Sequence, residues 1–470
     1  MVKADFRFAR AVPMMSLLIL IITTQMVPTG TQATNNPLTQ LNPSSGDWDQ
    51  YHNYTAINDL LLDLNTSHPS LVEVFSIGES HWGKSIYCTR LTNENLTYEK
   101  PEVFFVGYHH ARELISAELP LYFIVSAVEN YDKNLVVNRM LDLVEIYVVV
   151  ALNVDAFDVA PSNEWQRKNV HPIDEDEDGL FDEDPPDDED GDGFIENLVA
   201  WDGTQYSTVR WEGVDDDGDG SLNEDWLGGV DLNRNYGYEW NSSASSGSPH
   251  PSAEDYRGPE PFSEPETRAL RDLVLQHEFE YAISFHSGAE NIVYPWGYTS
   301  QPTQHDQIFR EVAGNLSLLV GGAPYYQAGS WYTTSGVFDD WMYGARGIFA
   351  FTCEIYTDHT AWHHEPGPEP NTFWERGVSQ FFNPNPLMIE TTVSKWMPVF
   401  FYIANRTINE RGEDLNLDGK VDIHDLAMAA HAFGSRLGHS RWLFIADMNQ
   451  DGRIDIRDIA LIAKNFGDEV

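Results

Sequence analysis

The run LVEIYVVVALN, residues 143–153, restricts what this chain can fold into more than any other stretch. Apart from one glutamate it carries no polar alternation, so a strand here has no face to give to water. Such a strand belongs inside a sheet covered on both sides. Residues 71–78 (LVEVFSIG), 85–92 (SIYCTRLT) and 101–107 (PEVFFVG) are β-branched or aromatic runs bounded by Gly, Asn and Pro, and read as further strands. Two more are read at 280–287 (EYAISFHS) and 347–356 (GIFAFTCEIY). Helical spacing of apolar residues predicts helices at 47–70, 114–131, 264–277 and 305–321, and one long final helix at 385–408. Strands alternating with helices predict an α/β fold with helices on both faces of the sheet.

With 470 residues, 42% of them hydrophobic, the chain can bury a large core and has length for more than one domain. Its formal charge of −46 argues against a nucleic-acid partner, whose phosphates it would repel. The start reads as an export signal over residues 1–33: Lys3, Arg7 and Arg10 precede the apolar SLLILII (16–22), and TQA (31–33) suits cleavage. The apolar run is short for a membrane span, so no stable span is expected after cleavage; an uncleaved anchor is the alternative. A polar linker at 34–45 follows. These features predict a secreted or cell-surface protein. With only Cys88 and Cys353, disulfides are not the stabilising strategy.

Chemistry concentrates where apolar strands end. HHARE (109–113) follows VFFVG directly, and His110 and Glu113 are three apart, so one tight turn aims both at one place. A hydrolytic zinc site needs three protein ligands and one open position. His286 ends the apolar run of SFHSG (284–288), a matching place if ligands gather at the carboxyl ends of strands. Glu354 sits near the end of another apolar run, where a carboxylate is costly without a task or a partner. His109 is out of phase with Glu113 and reads as structural.

Six motifs in order make residues 46–408 resemble the zinc carboxypeptidases of the carboxypeptidase A/B type: HHARE (109–113), QRKN (166–169), VDLNRNY (230–236), SFHSG (284–288), YTTSGVFDDWMY (332–343) and FTCEI (351–355). The resemblance implies a mixed, mostly parallel sheet flanked by helices. It implies that His110, Glu113 and His286 bind one catalytic zinc ion, the ligand set of carboxypeptidase A itself. Arg167 would polarise the scissile carbonyl, and Asn233 and Arg234 would clamp the substrate's terminal carboxylate. Tyr332 would close over the substrate, and Arg112 would line the neighbouring subsite. Glu354 would take a proton from the attacking water and pass it to the leaving amine. Counted from Tyr332, Asp339 falls at the floor of the side-chain pocket, which predicts a preference for C-terminal Arg or Lys.

Two regions break the α/β pattern. Within 171–229, an insertion relative to the family, three acidic stretches repeat a D-x-D-x-D-G layout. Asp174, Asp176 and Asp178, then Asp188, Asp190 and Asp192, then Asp215, Asp217 and Asp219 read as structural calcium loops. A solvated acidic run is the competing reading. The tail, 410–470, holds DLNLDGKVDIHD (414–425) and DMNQDGRIDIRD (447–458), each followed by a helical run ending in Phe-Gly. Gly sixth and an acid twelfth make each a calcium-loop signal. The pair resembles a dockerin and so predicts a small all-α domain binding two calcium ions. Asp414, Asn416, Asp418, Asp422 and Asp425 would hold one; Asp447, Asn449, Asp451, Asp455 and Asp458 the other. A dockerin implies a cohesin partner; a self-contained cap and an intramolecular contact are the alternatives. For the whole chain the expected activity is zinc-dependent hydrolysis of the C-terminal peptide bond of peptides or proteins. A cell-wall peptide hydrolase of the same fold and an inactive dockerin-borne binding module are the competing functions.

Overall fold

The structure, a computed structural model, describes residues 41–470 apart from 98–99, 162, 175–178, 217, 219, 224–225, 227, 243, 409–412, 416–419, 437–440, 442, 444–445, 449–452 and 468–470. The expected signal peptide and most of the linker lie outside the described residues. So do Asp176, Asp178, Asp217, Asp219, Asn416, Asp418, Asn449 and Asp451.

The described strands are β1 (Val72–Glu79), β2 (Ser85–Leu91), β3 (Glu102–Val106), β4 (Glu145–Val149), β5 (Asn197–Trp201), β6 (Tyr206–Trp211), β7 (Phe279–His286), β8 (Ala289–Tyr294), β9 (Tyr325–Gln327), β10 (Phe349–Tyr356), β11 (His363–Pro366) and β12 (Thr372–Arg376). Eight of them form one sheet in the order β1-β2-β4-β3-β7-β10-β8-β9. The central pairs β4–β3, β3–β7 and β7–β10 are parallel, as is β8–β9, while β1–β2, β2–β4 and β10–β8 are antiparallel. The fold is thus the mixed, mostly parallel α/β sheet. Val103, Phe104, Phe105 and Val106 are consecutive in β3 and all fully buried. Successive strand residues point to opposite faces, so both faces are covered. Burying each such side chain stabilises the fold by roughly 1.5–3 kcal/mol, which is why the apolar runs settled into the sheet's middle.

Several expectations need correction. The first helix starts at Tyr54, capped by the Asn53 side chain, rather than at residue 47. The long final helix is two, Ile389–Trp396 and Pro398–Thr407, divided at Pro398, whose nitrogen has no proton to donate. The acidic insertion is more than loops. Its β5 and β6 join β11 and β12 in a second sheet, ordered β11-β12-β5-β6, over a small core of Trp165, Ile195, Val378 and Phe382.

In the tail, helices Ile423–Ala432 and Ile456–Lys464 begin at Asp422 and Asp455, each in a reciprocal capping box with Asp425 or Asp458. The two repeats also exchange bonds: Gly434 N–H donates to the Ile454 carbonyl, and Gly467 N–H to the Val421 carbonyl. Among the described residues, no helix is long and apolar enough to cross a membrane.

Candidate active site

The chain leaves β3 through Gly107, where a Cβ would lie 2.2 Å from the Ser116 carbonyl oxygen. Only glycine allows so close an approach. Tyr108 follows with φ of 55°, a strained value for a bulky residue. Two contacts hold it: its hydroxyl donates to the Ala111 carbonyl at 2.7 Å, and its ring stacks 4.3 Å from Phe157. This turn delivers His110 and Glu113 to the end of the sheet. β7, hydrogen-bonded to β3, delivers His286 as its last residue.

All three side chains are buried, and their offered ligand atoms lie within 4.8 Å of one another. His110 Nδ1 is 2.6 Å from Glu113 Oε1, and His286 Nδ1 is 2.9 Å from Glu113 Oε2. The two Nδ1 atoms are 3.2 Å apart. Burial pushes the His286 imidazole down, which keeps it in the neutral form that ligates metals. Two nitrogens and one carboxylate converging at this spacing suit a zinc ion.

The outward nitrogens are oriented by groups that sequence reasoning missed. His110 Nε2 lies 3.2 Å from Asp231 Oδ1, and His286 Nε2 lies 2.9 Å from Ser284 Oγ. Asp231 Oδ2 also accepts from Arg167 Nε at 2.9 Å. Burial alone pushes the Asp231 carboxyl up, but Arg167, Arg234 and His110 outweigh it and hold it well below the usual carboxylate range. The signal for Asp231 was its place in VDLNRNY, where an aspartate reads as a turn former.

The fold gathers most of the other expected residues around this cluster. Asn233 Nδ2 is 3.4 Å from His286 Nε2, and its Oδ1 accepts the Phe338 N–H at 2.9 Å. Arg234 donates to Ser246 Oγ at 3.0 Å and to the Asn233 carbonyl at 2.7 Å. Glu354 in β10 stands beside His286 in the parallel register. Its Oε2 is buried with no hydrogen-bond partner among the described residues. Burial, reinforced by the Glu113 charge, pushes its carboxyl well above the carboxylate range. Asp339 is also buried, with Oδ2 unpartnered among the described residues, and burial raises it to about 7. Its neighbour Asp340 instead accepts the N–H groups of Gly297 and Tyr298. Two residues stand apart from the trio. Arg112 pairs with Glu254 and lies over the Phe382 ring, and Tyr332 is exposed, edge-on to Trp331. His109 bonds Tyr236 Oη at 2.8 Å and Ser284 Oγ at 3.1 Å, a structural arrangement.

The described acidic loops share one closure. Asp188 accepts the N–H groups of Gly191 and Gly193, Asp215 those of Gly218 and Gly220, and Asp174 that of Gly179. Asp188 and Asp190 approach the buried Glu212, which sequence reasoning did not single out, and Asp192 receives the Phe194 N–H at 3.0 Å. In the tail, Asp425 accepts the Leu415 N–H at 2.6 Å and the Asp422 N–H at 2.7 Å, while Asp414, Asp447 and Asp458 are buried.

The model of the zinc carboxypeptidase family matches residues 57–395, most of the chain. The chain belongs to the zinc carboxypeptidase family. A dockerin type I domain follows its zinc carboxypeptidase part, matched over 412–467. Carboxypeptidase B of Astacus astacus is 29% identical over 318 residues, covering 66% of this chain and 87% of that protein. Mast cell carboxypeptidase A of Mus musculus is 27% identical over 315 residues, covering 65% of this chain and 62% of its own. The chain thus spans less than two thirds of that second relative. Thrombin activatable fibrinolysis inhibitor has the same fold, with a TM-score of 0.59 at 20% identity over 81% of this chain and 79% of that one.

Proposed function

We propose that residues 46–408 form a secreted or cell-surface zinc carboxypeptidase that hydrolyses the last peptide bond of peptides or proteins bearing a free C-terminus. The observation that carries this is the convergence of His110, Glu113 and His286 at neighbouring strand ends beside Glu354. These three residues would hold the zinc ion. When bound, zinc supplies Lewis-acid chemistry to the scissile carbonyl and the attacking water. Asp231 and Ser284 fix the rings of His110 and His286 by occupying their second nitrogens. Arg167, steadied by Asp231, stabilises charge developing on the carbonyl oxygen. Asn233 and Arg234 hold the terminal carboxylate, and Arg234's planar fork suits two parallel hydrogen bonds. Glu354 takes the proton from the attacking water and returns it to the leaving amine. Burial, with the Glu113 charge, raises its affinity for a proton, which suits a group that accepts one. Tyr332, being exposed, is free to swing over bound substrate, and Arg112 lines the approach. Asp339 recognises a basic C-terminal side chain: a guanidinium or ammonium would supply the partner its buried oxygen lacks.

The dockerin domain would bind two calcium ions through the loops at 414–425 and 447–458, and a cohesin partner outside the chain. The closed acidic loops of the insertion would bind further calcium through Asp174, Asp188, Asp190, Asp192 and Asp215 and their neighbours outside the described residues. The deciding experiment is hydrolysis of a panel of C-terminal residues, with free and amidated termini. Cleavage restricted to free termini, abolished by zinc chelation and restored by zinc, is expected. Undiminished turnover in the stripped protein, or equal cleavage of amidated peptides, would refute the assignment.

A further inference from the structure

A second cluster of two histidines and a glutamate lies away from the strand ends. His81 sits in the turn between β1 and β2, and His171 at the root of the acidic insertion. Glu264 is the N-cap residue of the helix Pro265–Val274. The Glu264 carboxylate is fully buried. Its Oε2 lies 2.8 Å from His81 Nε2 and 3.0 Å from His171 Nδ1, and the three offered ligand atoms all lie within 4.8 Å of one another. The two imidazole rings have centroids 4.5 Å apart and are tilted by 39° to one another. Adjacent ligand atoms around a tetrahedral zinc ion are about 3.4 Å apart, from bond lengths near 2.0–2.1 Å. The two carboxylate–imidazole distances are a few tenths of an ångström shorter than that, as they are between Glu113 and the histidines of the trio, so small side-chain rotations would admit an ion.

The surroundings also suit a cation. Asn169 Nδ2 donates to Glu264 Oε2 at 2.8 Å, and the Ser263 hydroxyl donates to Oε1 at 2.7 Å. These bonds hold the carboxylate in place beside the histidines. A second carboxylate, Glu266, is buried beside it; Asn169 Nδ2 donates to its Oε2 at 3.1 Å, and its Oε1 has no hydrogen-bond partner among the described residues. The side chains of His81 and His171 are 20% and 32% exposed, so an ion could enter from solvent.

We propose that His81, His171 and Glu264 form a second site for a divalent transition-metal ion, separate from the catalytic trio and structural in role. It would clasp three segments: the β1–β2 turn, the entry to the insertion and the start of a helix. That helix abuts β1 so closely that a Cβ at Gly78 would lie 2.7 Å from Ala269 Cβ. Through Asn169, which also accepts the Val230 N–H at 2.8 Å, the clasp would steady the segment leading into Asp231.

The test uses the full chain saturated with calcium, with the catalytic trio disabled by His110→Gln so that any remaining zinc reports the second site. Titration with Zn2+ against a competing chelator should show one tight equivalent and a rise in melting temperature. Adding His171→Gln should remove both, and so should His81→Gln, which guards against one variant misfolding; circular dichroism checks the fold of each. Absence of tight binding in His110→Gln, or its survival in both double variants, would overturn the proposal. Because the counting is done without the catalytic trio, it succeeds or fails independently of the activity proposed above.

Discussion

The zinc-binding trio proposed at the strand ends and the calcium loops proposed in the tail place their ligands by opposite means. At the strand ends the scaffold comes first. β3, β7 and β10 bring His110, Glu113, His286 and Glu354 together through backbone hydrogen bonds and buried phenylalanines. In the tail the ligands belong to two short loops, and the core beneath them is a handful of residues such as Val421, Ala429, Ile454 and Ile462. Clustered carboxylates there have little apolar burial to oppose their repulsion. The contrast predicts that zinc is a guest of a finished fold, whereas calcium completes the fold that holds it. Removing the first should cost activity and little structure; removing the second, structure and little activity.

The largest test of that contrast is Glu354→Gln. The amide keeps the shape but cannot take the proton, so kcat should fall by about 10²–10⁴-fold while zinc content stays at one equivalent at the catalytic trio. Near-normal turnover would remove Glu354 from the chemistry. Next comes Asp231→Asn, which leaves the three ligands in place but weakens the grip on His110 and Arg167. Zinc affinity or kcat/KM should drop by roughly 10–100-fold with the melting temperature of the catalytic part little changed. A collapse of the fold instead would show that Asp231 builds the site rather than orienting it.

A smaller effect is expected at Asp339. Its carboxyl, raised to about 7 by burial, is mostly protonated at pH 6 and mostly ionised at pH 8. Only the ionised form attracts a cation, so preference for peptides ending in Arg over those ending in Phe should grow as pH rises through 7. It should reach roughly tenfold, equivalent to about 1.4 kcal/mol. Asp339→Ala should flatten that profile; a wild type preferring Phe at pH 8 contradicts the pocket assignment. The smallest effect on turnover is expected from calcium removal. A calcium-selective chelator should abolish a distinct low-temperature transition in calorimetry, assigned to the tail, while kcat/KM changes by no more than about twofold. Loss of activity in step with the tail would erase the contrast.

Legibility in the sequence followed the same divide. Strand ends could be read because an apolar run stops and His, Glu or Arg follows at once, as at Val106 and Phe285. Asp231 could not, because an aspartate before Leu-Asn is common in turns and its partners lie about 60 and 120 residues away. His81, His171 and Glu264 were hidden for a similar reason: contact between them arises only once the sheet and the helix Pro265–Val274 have packed. The small sheet of β5, β6, β11 and β12 escaped because its halves are more than 150 residues apart and one lies within an acidic stretch. Pro398 was visible in the final helix, yet apolar spacing continued through it and masked the break. Asp339 and Glu354 were singled out by position within motifs; their unpartnered oxygens became visible only in three dimensions.

The parallel pairing of β7 with β10 has a further consequence. Glu354 stands opposite His286, Cys353 opposite Phe285, and Thr352 opposite Ser284, each pair one step along the two strands. Side chains alternate faces at every step, so the two strands act as a vernier with only one productive setting. Sliding β10 by a single residue would bring Cys353 or Ile355 opposite His286 and send Glu354 to the other side of the sheet. Length changes are therefore expected in the connecting loops rather than within β7 or β10. Between Phe349 and Tyr356 even one added or missing residue would put the carboxylate out of step.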